Sequence, residues 1–216
     1  MTKPSHSASL KVLFIGNSFT ARNNVPELIA QLAAARGKQL QHRLIQAGGA
    51  SLRTHWNKGE AQQAIEQTRY DYVVLQEQST LPVKNAQRMH ENIKLFDQTI
   101  KASGAKTGLY LTWARQNAPE TQQTITDAYT TIGAALGATI VPVGVAWHNF
   151  ISQHRLPVLH DKDQSHPTLA GSYLAACVFF AVLFSENPVG IGCDLKGLTP
   201  AEAELLQKAA WVTVQK

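Results

Sequence analysis

The sequence has few cysteines and lacks the short patterns that mark metal, redox and nucleotide sites. Only two of its 216 residues are cysteines, Cys177 and Cys193, and no CxxC or zinc-ligand spacing occurs, which argues against metal-binding and redox proteins. No G-x-G-x-x-G follows a predicted strand and no Walker A pattern is present, which argues against nucleotide binding. We therefore expect no metal and no cofactor. Cys177 is predicted to be a core residue, and spacing does not decide whether the two cysteines form a disulfide.

Positive charge is in excess but is not concentrated anywhere along the chain. The formal net charge is +5 and the pI is near 9.3, yet charged residues make up only 16% of the sequence. No Lys/Arg cluster or basic stripe is present, so we interpret the charge as a property that favours solubility. A nucleic-acid partner is not expected.

No apolar run is long enough to cross a membrane. The most apolar segment, Ala170 to Phe184, is interrupted by Ser172 and Tyr173, whereas a spanning helix needs about 20 apolar residues. Residues 1–10 are polar and lack the apolar centre of a signal peptide, so we expect a flexible tail there and no membrane partner. The compartment stays open: cytoplasmic, or periplasmic or secreted if a leader has been removed.

Apolar runs alternate with helical patterns along the whole chain. The strands are predicted at 12–15, 39–45, 72–75, 107–111 and 139–141. Helices are predicted at 25–36, 85–103, 118–136, 145–153, 169–184 and 200–212, and a further polar helix is predicted to end at about 69. This alternation predicts an α/β fold, with a parallel sheet between two layers of helices. The length and a hydrophobic content of 44% fit one domain over residues 1–216.

The stretch from Lys11 to Thr20 combines a buried strand with a polar turn. Residues 12–15 are continuously apolar, and Gly16 allows a sharp turn where the strand ends. Ser18 would then lie at the carboxyl edge of a parallel sheet, where open α/β folds bind their ligands. Alternatively, Ser18 serves only as the cap of the next helix.

A second polar motif, Asp163-Gln164-Ser165-His166-Pro167, precedes the apolar helix near the C-terminus. Pro167 fits a first helical position, which would make His166 the cap. Asp163 can reach Nδ1 of His166 from three residues away, leaving Nε2 free to accept a proton from a serine. Ser18, Asp163 and His166 are therefore candidate catalytic residues, with His160 and Asp161 as a minor rival pair.

These motifs resemble those of the SGNH (GDSL-like) hydrolases. The segments 16–19 and 163–166 resemble the first and last blocks of the family, with Asn17 where Asp is commoner. The segment 47–51 resembles the glycine block. The segment 73–79 occupies the place of the third block but lacks Gly-x-Asn-Asp, so that Gln78 stands at the position of the asparagine. The resemblance extends from about residue 11 to about residue 184.

The resemblance implies a serine esterase on a five-stranded sheet of order 2-1-3-4-5, as in flavodoxin-like folds. The implied oxyanion donors are the backbone N–H groups of Ser18 and Gly49 and the side-chain amide of Gln78. Gln76 is the alternative to Gln78, and the segment around Gly49 could instead be an ordinary turn. Glu77 is expected to anchor the loop.

Aromatic residues near the predicted strand ends are candidate substrate contacts. Trp56 and Trp113 would line a pocket for an acyl group or a sugar, although core packing is the alternative for each. No long apolar insertion is present to form a lid, so we expect a small acyl group, such as acetyl, on a carbohydrate or similar alcohol. An acyltransferase, a short-chain lipase or thioesterase and a non-catalytic flavodoxin-like binding module remain alternatives. The sequence leaves the oligomeric state open.

Overall fold

A computed structural model describes residues 9–192 and 194–215. Residues 1–8 of the predicted tail lie outside this range, but Ser9 and Leu10 belong to the first strand, which corrects the expected end of the tail. Cys193 also lies outside, and Cys177 is buried. The question of a disulfide and the prediction of one domain over all 216 residues therefore both stay open.

Five parallel strands form one sheet in the order β2-β1-β3-β4-β5, which confirms the predicted topology. The strands are β1 (Ser9–Gly16), β2 (Gln39–Gln46), β3 (Tyr72–Leu75), β4 (Lys106–Tyr110) and β5 (Thr139–Val141). The position of β1 between β2 and β3 explains its continuous apolar run, because a strand paired on both sides and covered on both faces has no solvent-facing row.

Ten α-helices connect and cover the strands within the described residues. They are α1 (Ser18–Ala21), α2 (Val25–Ala35), α3 (Leu52–Lys58), α4 (Glu60–Gln67), α5 (Leu81–Lys84), α6 (Ala86–Ala102), α7 (Gln122–Leu136), α8 (Val143–Gln153), α9 (Leu169–Phe184) and α10 (Pro200–Val214). Short 3₁₀ turns at Arg22–Asn24 and Pro119–Thr121 precede α2 and α7.

The helices form two layers, and successive residues of β1 point alternately into them. Val12 and Phe14 pack into the core beneath α2, α8, α9 and α10, whereas Leu13 and Ile15 pack into the core beneath α3, α4, α6 and α7. Helix α9 is buried almost completely because α2, α8 and α10 surround it. Its apolar composition is therefore explained by burial, and no helix in the described part of the chain has the length and hydropathy of a membrane span.

The structure differs from the sequence prediction mainly in its short helices. The one-turn helices α1 and α5 were not predicted, and α3 occupies a segment that was expected to be a loop. The polar helix expected to end near 69 is α4, which follows α3 directly after Gly59. Helix α9 is capped by Thr168 and not by His166, and Pro167 instead forms an isolated bridge with His160. The prediction that Pro167 opens the helix is wrong because this bridge holds it in extended backbone outside α9.

Candidate active site

Ser18, His166 and Asp163 form one chain of hydrogen-bonded side chains at the carboxyl edge of the sheet. Ser18 Oγ lies 2.8 Å from Nε2 of His166, and Nδ1 of the same ring lies 2.5 Å from Oδ2 of Asp163. Because an ionised carboxylate only accepts, Nδ1 carries the proton and Nε2 accepts from the serine hydroxyl. The structure thus brings together three candidates that are up to 148 residues apart in the sequence.

Ser18 is the first residue of α1, and Asn17 is the cap. Asn17 Oδ1 accepts from the N–H of Phe19, while the carbonyl of Asn17 accepts from Thr20 and Ala21. No acceptor for the N–H of Ser18 is found in the described part of the chain, as expected at the first turn of a helix. The alternative prediction, that Ser18 is only a cap, is therefore wrong, because Asn17 takes that place.

The Asp163–His166 loop is held in shape by hydrogen bonds to both main and side chains. Oδ1 of Asp163 accepts from the N–H groups of Ser165 (3.0 Å) and His166 (2.9 Å). The bonds from the backbone and ring of His166 hold the pKa of Asp163 well below its usual range. The aspartate is therefore ionised at neutral pH, although its side chain is 47% exposed.

Trp113 supports this loop from the interior and lines no substrate pocket. Its ring is 1% exposed and lies between Phe19 (centroid distance 4.5 Å) and Trp147 (4.1 Å), nearly parallel to both. Its Nε1 donates to the carbonyl of Ser165. The prediction of Trp113 as a substrate contact is therefore corrected, because core residues cover both faces of its ring. Phe19 in turn places its ring against that of His166.

Trp56, the other aromatic candidate, is partly buried in α3. Its ring meets the ring of Phe96 edge to face, with centroids 5.1 Å apart. This contact covers one side of the indole. The contribution of Trp56 to substrate binding stays a prediction.

The turn that carries Gly49 is open to solvent and tightly folded. The N–H of Ala50 donates to the carbonyl of Ala47, and Gly49 has a φ of +65°, a conformation that favours glycine. Among the described residues, no protein acceptor faces the N–H groups of Gly48 and Gly49. The turn is thus able to donate to an external anion, but an ordinary surface turn has the same features.

Gln78 and Gln76 differ in how their amides are used. Oε1 of Gln78 accepts three hydrogen bonds, from the N–H of Thr80 (2.9 Å), from the hydroxyl of Thr80 (3.0 Å) and from the N–H of Leu81 (3.1 Å). Its Nε2 has no acceptor within the described part of the chain. Gln76 is 1% exposed, and its Nε2 donates to the carbonyl of Glu77. One of the two N–H donors of the Gln76 amide is thus used inside the protein, and its side chain is buried.

Glu77 connects the segments that follow β2 and β3. Its Oε1 accepts from the N–H groups of Leu52 (2.9 Å) and Gln78 (2.7 Å), and its Oε2 accepts from Asn92. Burial raises the pKa of Glu77, and these donors and the nearby Arg53 oppose that change. Nε of Arg53 donates to Oδ1 of Asn92, so that Asn92 connects Arg53 to the carboxylate of Glu77. Glu77 thus anchors the loop, as the sequence predicts.

Two further residues, His55 and Arg22, lie beside the candidate site. His55 is 2% exposed and lies with Nε2 2.7 Å from the carbonyl of Gly16, and burial lowers its pKa, which favours the neutral ring. Arg22 lies 2.9 Å from Asp161 and 4.0 Å from Asp163 at the surface.

His160 is buried against Trp147, and its Nε2 lies 3.0 Å from a backbone carbonyl, which removes it as a rival to His166. No His, Cys, Asp and Glu group in the described part of the chain is arranged to hold a metal ion.

No protein-family model and no curated protein matches the sequence. Solved structures do match the fold. A DUF4886 family protein from Bacteroides uniformis superposes with a TM-score of 0.79 at 21% identity, covering 96% of this chain and 95% of its own. A putative SGNH hydrolase from Slackia heliotrinireducens superposes with a TM-score of 0.70 at 25% identity, covering 81% and 99%.

An acetyl xylan esterase superposes with a TM-score of 0.62 at 15% identity, covering 80% of this chain and 98% of its own. Structural neighbours of this kind, SGNH hydrolases and esterases, share the five-stranded α/β architecture. The fold is thus that of the SGNH hydrolases.

Proposed function

We propose that this protein is a serine esterase that removes small acyl groups, acetyl first among them, from carbohydrates or similar polar alcohols. The observation that carries the proposal is the hydrogen-bonded chain from Ser18 through His166 to Asp163 at the carboxyl edge of the sheet. A non-catalytic binding module of the same fold has no need for an oriented imidazole 2.8 Å from a serine hydroxyl.

In the proposed reaction, Nε2 of His166 takes the hydroxyl proton while Oγ of Ser18 attacks the ester carbonyl. Asp163 keeps the imidazole in the required tautomer and stabilises the imidazolium that forms. His166 then gives the proton to the leaving alcohol, and the acyl group stays on the serine. A water molecule, deprotonated by His166, then attacks the acyl carbonyl. The bond to Oγ of Ser18 breaks, His166 returns the proton to the serine, and the acid is released. The exposed side chains of His166 and Asp163 favour access of this water, and hence a hydrolase over an acyltransferase.

We assign the oxyanion donors to the N–H groups of Ser18 and Gly49 and to Nε2 of Gln78. All three lack a protein acceptor within the described residues, and three hydrogen bonds to Oε1 fix the orientation of the Gln78 amide. Donors that are already oriented stabilise a developing oxyanion without reorganisation. Gln78 thus offers the same amide donor as the asparagine at the corresponding position of the SGNH hydrolases, on a side chain that is longer by one methylene.

The acyl preference is inferred from the shape of the site. The side chains of His166 and Asp163 are 31% and 47% exposed, and the turn at Gly48 and Gly49 is open to solvent. An open, shallow site accommodates a small acyl group and leaves a bulky polar alcohol in contact with water, whereas long acyl chains need an apolar groove. The acetyl xylan esterase shares the fold at 15% identity, so the proposed substrate is not inferred from that enzyme.

We expect activity to decrease with acyl length. The experiment compares kcat/KM on p-nitrophenyl acetate, butyrate, octanoate and palmitate, followed by acetate release from acetylated xylose and glucose. The highest value is expected for acetate, because nothing at the open site stabilises a longer chain. Activity that rises to the octanoate, with none on acetylated sugars, would point to a lipase or thioesterase instead.

Gln78 offers a test of the oxyanion assignment. Gln78→Glu keeps an oxygen to cap the turn but removes the NH₂ donor, so kcat is expected to fall by roughly 10²–10³-fold with little change in KM. Thr80→Val is the matched control, since it removes one bond to Oε1 and leaves the amide in place. An unchanged kcat in Gln78→Glu would leave the backbone donors alone in the oxyanion site.

A further inference from the structure

Asn17 contacts all three segments that carry the assigned oxyanion donors. Its side chain and backbone are buried, with 2% exposure. Its N–H donates to Oε1 of Gln76 (2.9 Å), its Oδ1 accepts from the N–H of Phe19 (3.1 Å), and its Nδ2 donates to the carbonyl of Ala50 (3.0 Å). The last bond links the segment of the nucleophile to the turn that carries Gly49.

We propose that Asn17 is a positioning residue, whose Nδ2 bond to Ala50 sets the distance between the N–H groups of Ser18 and Gly49. This inference rests on the proposed esterase function. Few other contacts hold the turn toward the segment of Ser18. No atom lies within 4 Å of the position that a Cβ of Gly49 would occupy, and the hydrogen bond from the N–H of Ala47 to the carbonyl of Gly16 is long, at 3.4 Å.

The chemistry of this position requires one acceptor and one donor on a short side chain. The N–H of Phe19 needs an acceptor, and the carbonyl of Ala50 needs a donor. An amide provides both, and so does a protonated carboxyl group. An ionised carboxylate provides only acceptors and would repel the carbonyl oxygen of Ala50. Although Asp is commoner here in the SGNH hydrolases, the contacts in this chain select Asn.

Asn17→Asp therefore converts the contact into one that depends on pH. Burial and the facing carbonyl favour the neutral form of the introduced carboxyl group, whereas the N–H of Phe19 favours the charged form. We expect the first two to outweigh the third and to raise the pKa of the carboxyl group. At low pH the protonated group still donates to Ala50, and as pH rises the donor is lost. The other titratable groups around this position are His55, Glu77 and His166. The unmodified protein contains them as well, so the ratio of variant to unmodified activity cancels their common effect.

The expected result is a kcat for Asn17→Asp that is about 10- to 100-fold below that of the unmodified protein near pH 8, with KM little changed. The deficit should narrow as the pH is lowered toward about 5, since the carboxyl group takes up its proton. Thr107→Val is the matched control. It removes a buried hydrogen bond to Asp97 at the start of β4 and should lower stability while keeping the kcat and pH profile of the unmodified protein.

A second variant and a second measurement keep the test decisive if Asn17→Asp does not fold. Asn17→Ala removes the donor at every pH, and its kcat should be about 10- to 100-fold low without recovery in acid. Hydrogen exchange of the amides in 47–51 should be faster in both variants and unchanged in Thr107→Val. A full kcat in Asn17→Ala, or an activity ratio for Asn17→Asp that is constant with pH, would overturn the inference. Absence of esterase activity in the unmodified protein would instead contradict the proposed function.

Discussion

Ser18→Ala is expected to abolish both ester hydrolysis and covalent labelling by a fluorophosphonate probe. Removing the nucleophile of a Ser-His-Asp triad costs about 10⁶-fold in kcat, because the remaining groups only bind and polarise the substrate. The hydroxyl in question lies 2.8 Å from Nε2 of His166, and no other serine of the described residues has such a contact. Intact-mass spectrometry should show one adduct on the unmodified protein and none on Ser18→Ala.

The matched control for this experiment is Ser152→Ala. Ser152 is exposed on α8, and its hydroxyl donates to the carbonyl of Asn149, so its loss changes neither the site nor the core. Labelling and kcat should both be retained in this variant. Labelling that persists in Ser18→Ala would mean that another residue is the nucleophile, and the proposed mechanism would be wrong.

The second large effect is expected at the acid–base pair. His166→Ala should remove nearly all turnover, since no other base lies within reach of Ser18 among the described residues. Asp163→Asn keeps an oxygen for the N–H groups of Ser165 and His166, but it presents an NH₂ group to Nδ1. This favours the wrong tautomer, and kcat is expected to fall by up to roughly 10⁴-fold.

Asp161→Asn provides the control for the aspartate. It makes the same chemical change two residues away, at a side chain that contacts Arg22 and the N–H of Lys162 but not His166. Because exposed ion pairs contribute little, activity should stay within a few-fold of the original. If Asp163→Asn retained full activity while His166→Ala did not, the orientation of the imidazole would be due to the loop itself.

The architecture could be predicted because it depends on patterns that are local in the sequence. The helical periodicity of α2 and α6 reflects burial of one face, and the continuous apolar runs of β1 and α9 reflect burial on all sides. Only a parallel sheet with a helix in each connection accommodates their alternation. The one-turn helices α1 and α5 escaped prediction because four residues do not establish a period.

Several residues of the candidate site could be recognised from the sequence, but most of the groups that pack against them or hydrogen-bond to them could not. Trp113 and Trp56 both follow strand ends in polar surroundings, and nothing local distinguishes the buried ring from the half-buried one. The structure separates them because Phe19 and Trp147 cover both faces of Trp113. Likewise, the sequence favours Gln78 over Gln76 only by its position relative to the asparagine of the SGNH hydrolases, and the use of each amide is known only from its hydrogen bonds.

By itself, the sequence determined the alternation of strands and helices and the residue types at both ends of the candidate site, since burial period and loop chemistry depend on neighbouring residues. The strand order followed from the resemblance to the SGNH hydrolases. The tertiary structure alone decided which groups are free to meet a substrate. Asn17 and Thr20 use Oε1 of Gln76 across 59 and 56 residues. Nε2 of Gln76 donates to the carbonyl of Glu77, whereas Nε2 of Gln78 has no acceptor within the described residues. Hydrogen-bond partners of this kind follow from proximity in space and not along the chain.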